Sequence, residues 1–289
     1  MRGQIVKANS FRYTVLSDGQ KTDCVVRGVL KRYDELYVGD FVQFDKNKRE
    51  RYGIITAIEE RRNLLIRPYV SNSDIVLIVI AGVPETDFLL VDKLIVNCHA
   101  EDIRPIIVVN KIDLNESAEL VERVYSEYRD VAEINVVSAV TGQGLDKLKE
   151  TIGDGVAVLA GQSAVGKSAL INALFGKRIS EVGELSLKIE RGKNTTRTIT
   201  MIVSDGLKIV DTCGFSSFSF PDLKPEKLGY YYDDFAPFAE KCKYRSCLHK
   251  YEPECAVKDA VNKGIISKNR YDRYLSLLSE LSGENKKKD

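Results

Sequence analysis

The stretch Gly155-Val-Ala-Val-Leu-Ala160-Gly161-Gln162-Ser163-Ala164-Val165-Gly166-Lys167-Ser168-Ala169-Leu170 decides the fold. It reads as a buried strand over Gly155–Ala160, a loop with the spacing GxxxxGK[ST], and a helix opening at Lys167. Gly161 and Gly166 permit backbone conformations and a close approach that a side chain would block. The loop's N–H groups and the helix N-terminus gather partial positive charge where a phosphate chain would lie. Lys167 is expected to reach the outer phosphates and Ser168 to ligate Mg²⁺. Gln162, Ser163, Ala164, Val165 and Ala169 complete the expected cradle.

On both sides of this loop, residues 67–221 alternate strands and helices. Asp74–Ile80 is a near-continuous apolar run, as a strand covered on both faces should be. Helix Phe88–Cys98, strand Pro105–Val109, helix Ala118–Tyr128, strand Ile134–Val137 and helix Leu145–Ile152 follow. After the phosphate loop and the helix Lys167–Leu174 come strands Thr198–Val203 and Lys208–Val210. This is the pattern of an α/β nucleotide-binding domain with helices on both faces.

Two further motifs choose the nucleotide. Asn110-Lys111-Ile112-Asp113 follows strand Pro105–Val109. The Asp113 carboxylate can accept from the guanine N1–H and the exocyclic amine, a donor pair that adenine lacks. A site built for such a pair rejects its absence by roughly 10⁴-fold or more. Asn110 would brace the loop, and the Lys111 stem would cover the base. Ser138-Ala139 ends the next strand, where a backbone N–H would meet guanine O6. Asp211-Thr-Cys-Gly214 closes strand Lys208–Val210 and matches DxxG, with Asp211 towards Mg²⁺ and the Gly214 N–H towards the γ-phosphate. Thr195 or Thr196, in a polar loop before a strand, would complete the Mg²⁺ shell. Ordinary Ras-like GTPases run phosphate loop, switch threonine, DxxG, NKxD, SA. Here NKxD and SA come first. A cyclic shift preserves the site because the ends of a domain lie close together.

The flanks differ from this middle. Residues 1–66 read as five short strands: Gln4–Ala8, Arg12–Leu16, Cys24–Arg27, Phe41–Phe44 and Ile54–Ile58, separated by turn residues. They suit a small OB-type β-barrel, a fold that often binds oligonucleotides. Residues 222–289 read as helical and irregular. Tyr271, Tyr274, Leu275, Leu278 and Leu281 form a helical packing stripe, and Lys286–Lys288 a charged tail. Cys242-x4-Cys247-x-His249-x5-Cys255 has four ligands and no open position, which predicts one structural Zn²⁺ per chain. Cys24, Cys98 and Cys213 lie apart from it and are expected to be plain thiols.

Net charge is +1 over 289 residues, so bulk electrostatics announce no polyanion partner. Its distribution leans that way at the ends: +4 over residues 1–66, −5 over 67–221 and +2 over 222–289. No apolar run is long enough to span a bilayer, and Met1–Ser10 has no leader pattern. Six cysteines without such a leader argue for a reducing, cytoplasmic compartment rather than a disulfide scaffold.

Barrel, permuted nucleotide domain and zinc module, in this order, resemble the bacterial ribosome small subunit-dependent GTPase A family. The permuted motif order and the run Cys242-Lys-Tyr-Arg-Ser-Cys-Leu-His-Lys-Tyr-Glu-Pro-Glu-Cys-Ala-Val257 carry the resemblance. It implies a late maturation factor, a monomer, that binds the small ribosomal subunit with GTP and leaves after hydrolysis. It also implies that barrel and zinc module contact ribosomal RNA. Three positions depart from the family pattern. Ala164 stands where Gly is usual, and a methyl there is expected to be tolerable. Cys213 replaces the usual Pro. Asn194 replaces a His assigned to hydrolysis, and Phe215 occupies the place of the Ras-like water-positioning Gln. Asn194 can orient a water but cannot act as a base, so no catalytic residue is named. The residues alone also fit a regulatory GTP switch with another RNA or protein partner.

Overall fold

The computed structural model describes residues 1–9, 12–26, 35–46, 51–66, 68–176, 199–211 and 223–283. Five strands form the N-terminal barrel: β1 (Arg2–Asn9), β2 (Arg12–Ser17), β3 (Gln20–Val26), β4 (Phe41–Asp45) and β5 (Gly53–Ile58). They pair in the ring β1-β2-β3-β5-β4, and β4 pairs back onto β1, which leaves no open edge. Alternation along each strand turns Ile5, Val15, Cys24, Val42, Phe44 and Ile55 inward as one core. Gly3 has no room for a side chain: a Cβ there would sit 2.5 Å from Val15 Cγ1.

A two-residue hairpin follows, β6 (Leu64–Leu65) with β7 (Val70–Ser71), and it spans the expected boundary after residue 66. Then come β8 (Ile75–Ala81), α1 (Phe88–Ala100), β9 (Arg104–Asn110), α2 (Ser117–Tyr128), β10 (Glu133–Val136), α3 (Leu145–Ile152), β11 (Val156–Ala160), α4 (Lys167–Phe175), β12 (Thr200–Ser204) and β13 (Leu207–Asp211). The sheet order is β10-β9-β8-β11-β13-β12, parallel except for β12. β8 shows why its sequence is apolar throughout. Val76, Ile78 and Ile80 belong to the core under α1 and α2, whereas Ile75, Leu77 and Val79 belong to the core with α3 and α4. The barrel joins this sheet edge through β1 and β12, with Lys7 opposite Thr200.

The C-terminal module comprises a 3-10 helix (Pro225–Tyr231), the one-turn α5 (Ala236–Ala239), α6 (Ala256–Asn262) and α7 (Lys268–Leu281). Tyr271, Tyr274 and Leu278 are buried, and Leu275 and Leu281 pack half-buried, so the expected stripe is a packing face. Its core also takes in Val96 of α1. Helix α1 is therefore covered on the sheet side by Val91, Leu94 and Ile95 and on the other side by the module. A helix apolar nearly all round is stable in that setting.

One charge stands inside this contact. Asp92 on α1 is wholly buried and accepts hydrogen bonds from Arg270 Nη1, Arg273 Nε and, at 2.9 Å, Tyr128 Oη. Arg270, also buried, donates through Nε to Asp234 at 2.8 Å. Arg273 also donates to Glu127 at 2.6 Å, and Arg123 and Asn269 donate to the same carboxylate. Burial alone would raise the Glu127 carboxyl, but these donors, Arg273 first, hold it below its ordinary value. Burial pushes the Arg270 guanidinium down, but the carboxylates of Asp92 and Asp234 push it further up.

Removing one partner of a buried pair leaves an uncompensated charge and costs about 3–5 kcal/mol. Asp92→Ala should therefore lower the urea midpoint of the full chain by several kcal/mol equivalent. A midpoint equal to the parent's would mean that the network carries no docking energy. Glu127 adds a pH dependence. Its folded pKa lies below the ordinary 4.5, so its stabilisation is full above that value and fades as pH falls through the folded one. Glu127→Gln should flatten that acid limb of the urea midpoint against pH.

Candidate nucleotide site and metal cluster

The carboxyl ends of β8, β9 and β11 place three loops side by side. The phosphate loop leaves β11 at Gly161, whose φ is +128° and whose Cβ, if present, would lie 2.1 Å from the Val79 carbonyl oxygen. Gly166, at φ +97°, would drive a Cβ to 2.5 Å from Asn110 Nδ2. Both glycines are therefore required by contact as well as by conformation. Ala164 also lies in the left-handed region, at φ +66°. That conformation costs an alanine about 1–2 kcal/mol, so the methyl is accommodated under strain. Lys111 holds it there: its Nζ donates to the Ala164 and Val83 carbonyls, each at 2.7 Å.

Asn110 ties the loops together. Its Nδ2 donates to the Val165 carbonyl at 3.0 Å, and its Oδ1 accepts from the Ala139 N–H at 3.1 Å. The side chain is buried. Asn110 thus engages one backbone N–H of the Ser138-Ala139 pair. Ser138 is buried and donates from Oγ to Asp113 Oδ1 at 2.5 Å. The same Oγ accepts from the Val140 and Thr141 N–H groups at 3.2 and 3.1 Å. Asp113 is exposed and aimed by Ser138, which donates to its Oδ1.

Lys167 Nζ donates to the Gly161 and Gln162 carbonyls at 2.7 and 2.5 Å. Burial pushes its ammonium below the ordinary lysine value, and the charge of Asp211 opposes this. The lysine, Ser168 at the first turn of α4 and Asp211 at the end of β13 thus share one end of the site. Asn194, Thr195, Thr196, Cys213, Gly214 and Phe215 lie outside the described residues. One contact was invisible in the motif. Gln162 donates from Nε2 to the Glu85 carbonyl at 3.2 Å and accepts the Asp87 N–H at 2.9 Å. Asp87 also caps α1 by accepting from Leu90. The phosphate loop is therefore fastened to the start of the helix that carries Asp92.

The second constellation gathers Cys242, Cys247, His249 and Cys255, whose ligand atoms all lie within 4.8 Å of one another. Cys242 Sγ is 3.8 Å from Cys255 Sγ and 3.6 Å from His249 Nδ1, and His249 Nδ1 is 3.4 Å from Cys255 Sγ. A tetrahedral ion with metal–sulfur bonds of about 2.3 Å and metal–nitrogen bonds of about 2.0 Å requires sulfur–sulfur edges of about 3.8 Å and sulfur–nitrogen edges of about 3.5 Å. The residues fit such an ion. The chain around them is fixed by Tyr271 and Tyr274, whose hydroxyls donate to the His249 and Leu248 carbonyls at 2.6 and 2.8 Å. Burial lowers the His249 pKa, which favours the neutral, ligating imidazole. Cys24 and Cys98 are buried free thiols, as their isolation in sequence implied, and Cys213 lies outside the described residues.

Comparison with known proteins agrees with this geometry. The RsgA GTPase domain matches residues 58–221 and the RsgA N-terminal domain matches residues 2–55. The chain belongs to the RsgA GTPase family. It is 39 % identical over 284 residues to the small ribosomal subunit biogenesis GTPase RsgA of Geobacillus thermodenitrificans, covering 96 % of this chain and 97 % of that protein. The namesake protein of Caldanaerobacter subterraneus subsp. tengcongensis is 38 % identical, over 100 % of this chain and 98 % of that one. Among solved structures, YjeQ from Thermotoga maritima superposes with a TM-score of 0.83 at 33 % identity, covering 98 % of each chain. YloQ, described as a circularly permuted GTPase, gives 0.80 at 32 % identity, covering 98 % of this chain and 95 % of that one. The RsgA membership makes this chain a GTP hydrolase with the permuted GTPase fold.

Asn110 and Asp113 should separate cleanly on mutation. Asn110→Ala orphans the buried Val165 carbonyl, at about 1–3 kcal/mol, and a half-buried Ala139 N–H, and should lower both the melting temperature and the affinity for a fluorescent guanine nucleotide. Asp113→Ala orphans only the Ser138 hydroxyl, so it should lower the melting temperature less and erase the preference for GDP over ADP. Equal losses of stability in the two variants would contradict the separate roles.

Proposed function

We propose that this chain binds the small ribosomal subunit in its GTP state, acts in its late maturation and leaves after hydrolysis. The observation that carries the GTP part is Asn110, which joins the phosphate loop to the guanine loops although 55 and 29 residues separate the partners. The relatives' names supply the partner: they are small ribosomal subunit biogenesis GTPases. In this reading Gly161–Ala169 hold the phosphates of GTP, with Lys167 on the outer two, and the Gly214 N–H meets the γ-phosphate. Asn110, Lys111, Asp113, Ser138 and Ala139 hold guanine. Mg²⁺ takes Ser168, either Thr195 or Thr196, and Asp211. The ion at Cys242, Cys247, His249 and Cys255 is one structural Zn²⁺, which these soft and imidazole ligands suit.

The chain divides into a barrel over 1–66, a GTPase domain over 67–221 and a zinc module over 222–289, and works as a cytoplasmic monomer. Among the described residues no helix is long and apolar enough to cross a membrane. Barrel and module face ribosomal RNA. The permutation has a mechanical use. The chain runs from Asp211 through the second switch directly into the module, so nucleotide state can shift the module against the GTPase domain.

Pelleting with small subunits in GDP, GTP and a non-hydrolysable analogue, with GTPase rates read in parallel, tests this reading. Retention in the triphosphate states and stimulated hydrolysis are expected. Co-sedimentation that ignores the nucleotide would point instead to a regulatory switch with another partner. Without a Gln or His beside the γ-phosphate, the free protein should turn over slowly; even Ras, with its Gln, reaches only about 10⁻⁴ s⁻¹ unaided. Asn194→His should raise the subunit-stimulated rate; no gain would show that this position does not limit hydrolysis.

A further inference from the structure

Beside the metal cluster lies a cavity of about 780 Å³, within the range of ligand pockets. The 3-10 helix Pro225–Tyr231 and α5 form one wall, and the cluster loop with Cys242, Cys247 and His249 forms the other. Tyr230 and Tyr244 line it from these two walls, 78 % and 44 % exposed. A third exposed tyrosine, Tyr251, stands in the same module with Lys250 Nζ 4.8 Å over its ring. Lys227 and Arg245 also line the cavity, as do Glu226 and Glu240.

Each feature meets one part of a nucleotide. Tyrosine faces stack on a base, a contact indifferent to sequence. The Lys227 and Arg245 cations suit the phosphate. The Glu226 and Glu240 carboxylates, which would repel a bare polyanion, suit the amine and imine donors of a base edge. Double-stranded RNA hides those donors and its base faces, so the ligand must be unpaired.

We propose that this cavity takes one splayed-out base of a single-stranded RNA segment, stacked by Tyr230 and Tyr244, with the flanking phosphate on Arg245 and Lys227. The inference rests on the reading that the module meets RNA, and it names the pocket and the form of RNA that it takes.

The test uses the zinc-loaded full chain and a fluorescein-labelled eight-nucleotide RNA of mixed sequence. Tyr230→Ala and Tyr244→Ala should each weaken binding about tenfold, the scale of one lost stack, while Tyr230→Phe keeps it. Arg245→Gln should lower affinity and reduce the salt slope by about one. Zinc content confirms that each variant is folded around its cluster. A duplex of the same sequence should not compete. RNA affinity unchanged in both alanine variants overturns the proposal; if those variants also lose the small subunit, the occupant is a protein. Cytidine monophosphate competing as well as the oligonucleotide overturns it in favour of a free nucleotide. The broader function is judged separately, by whether the parent protein pellets with small subunits in a GTP-dependent way.

Discussion

A single buried amide organises the nucleotide site. Asn110 sits at the end of β9 and satisfies one group on the phosphate loop and one on the Ser138-Ala139 loop. The Val165 carbonyl would otherwise be a buried backbone group without a mate, and such groups are expensive. Gly166 is pressed against the same amide, so the loop can approach only because it lacks a side chain there. Every other feature of the site follows from this junction: Lys111 crosses to Ala164, and Ser138 turns Asp113 outward. The junction is made in space and takes no notice of chain order. A cyclic shift of the motifs therefore leaves it intact.

The same logic of buried polar partners extends to the rest of the molecule. Asp92 lies on an α1 covered on both sides, and no water can reach it. It is tolerable only because Arg270 and Arg273 come from α7 to meet it. These pairs favour the observed orientation of the C-terminal module on the GTPase domain, and any shift of the module works against them. From the phosphate loop the contacts run through Gln162 to Asp87, along α1 to Asp92, and across to α7. There Tyr271, next to Arg270, grips the His249 carbonyl. Phosphate loop and metal cluster are thus joined by packed, hydrogen-bonded elements as well as by the chain itself.

The metal cluster adjoins the module's own apolar core, to which Cys255 belongs. The module's apolar cluster takes in Val96 of α1, aliphatic side chains of its own such as Leu228, Val257, Ile266 and Leu277, and the rings of Tyr232, Phe235 and Tyr274, whose centroids lie about 5 Å apart. The four ligand residues lie within 14 positions of one another, on a loop that Tyr274 also grips through the Leu248 carbonyl. The fixed loop then holds Tyr244 and Arg245 at the surface, opposite Tyr230.

Much of this was legible in the residues because it is local. Strand and helix periods, the GxxxxGK[ST] loop, NKID and the Cys/His spacing each depend on neighbours a few positions away. Strand Gly155–Ala160 is observed as Val156–Ala160 and helix Leu145–Ile152 as read, because a period and its breakers mark both ends. The barrel was readable for the same reason. Asp92 was not: a lone acid in an apolar helix gives a signal, but its partners lie about 180 residues away and only packing brings them together. Nor could the sequence show that Ala164 takes a left-handed backbone, that Gln162 clasps the start of α1, or that the Ala139 N–H is held by Asn110. By itself the sequence determined which chemistry each loop carries. The tertiary structure decided which loops share a site and how the modules sit on one another, because those outcomes depend on pairing buried polar groups across long chain separations.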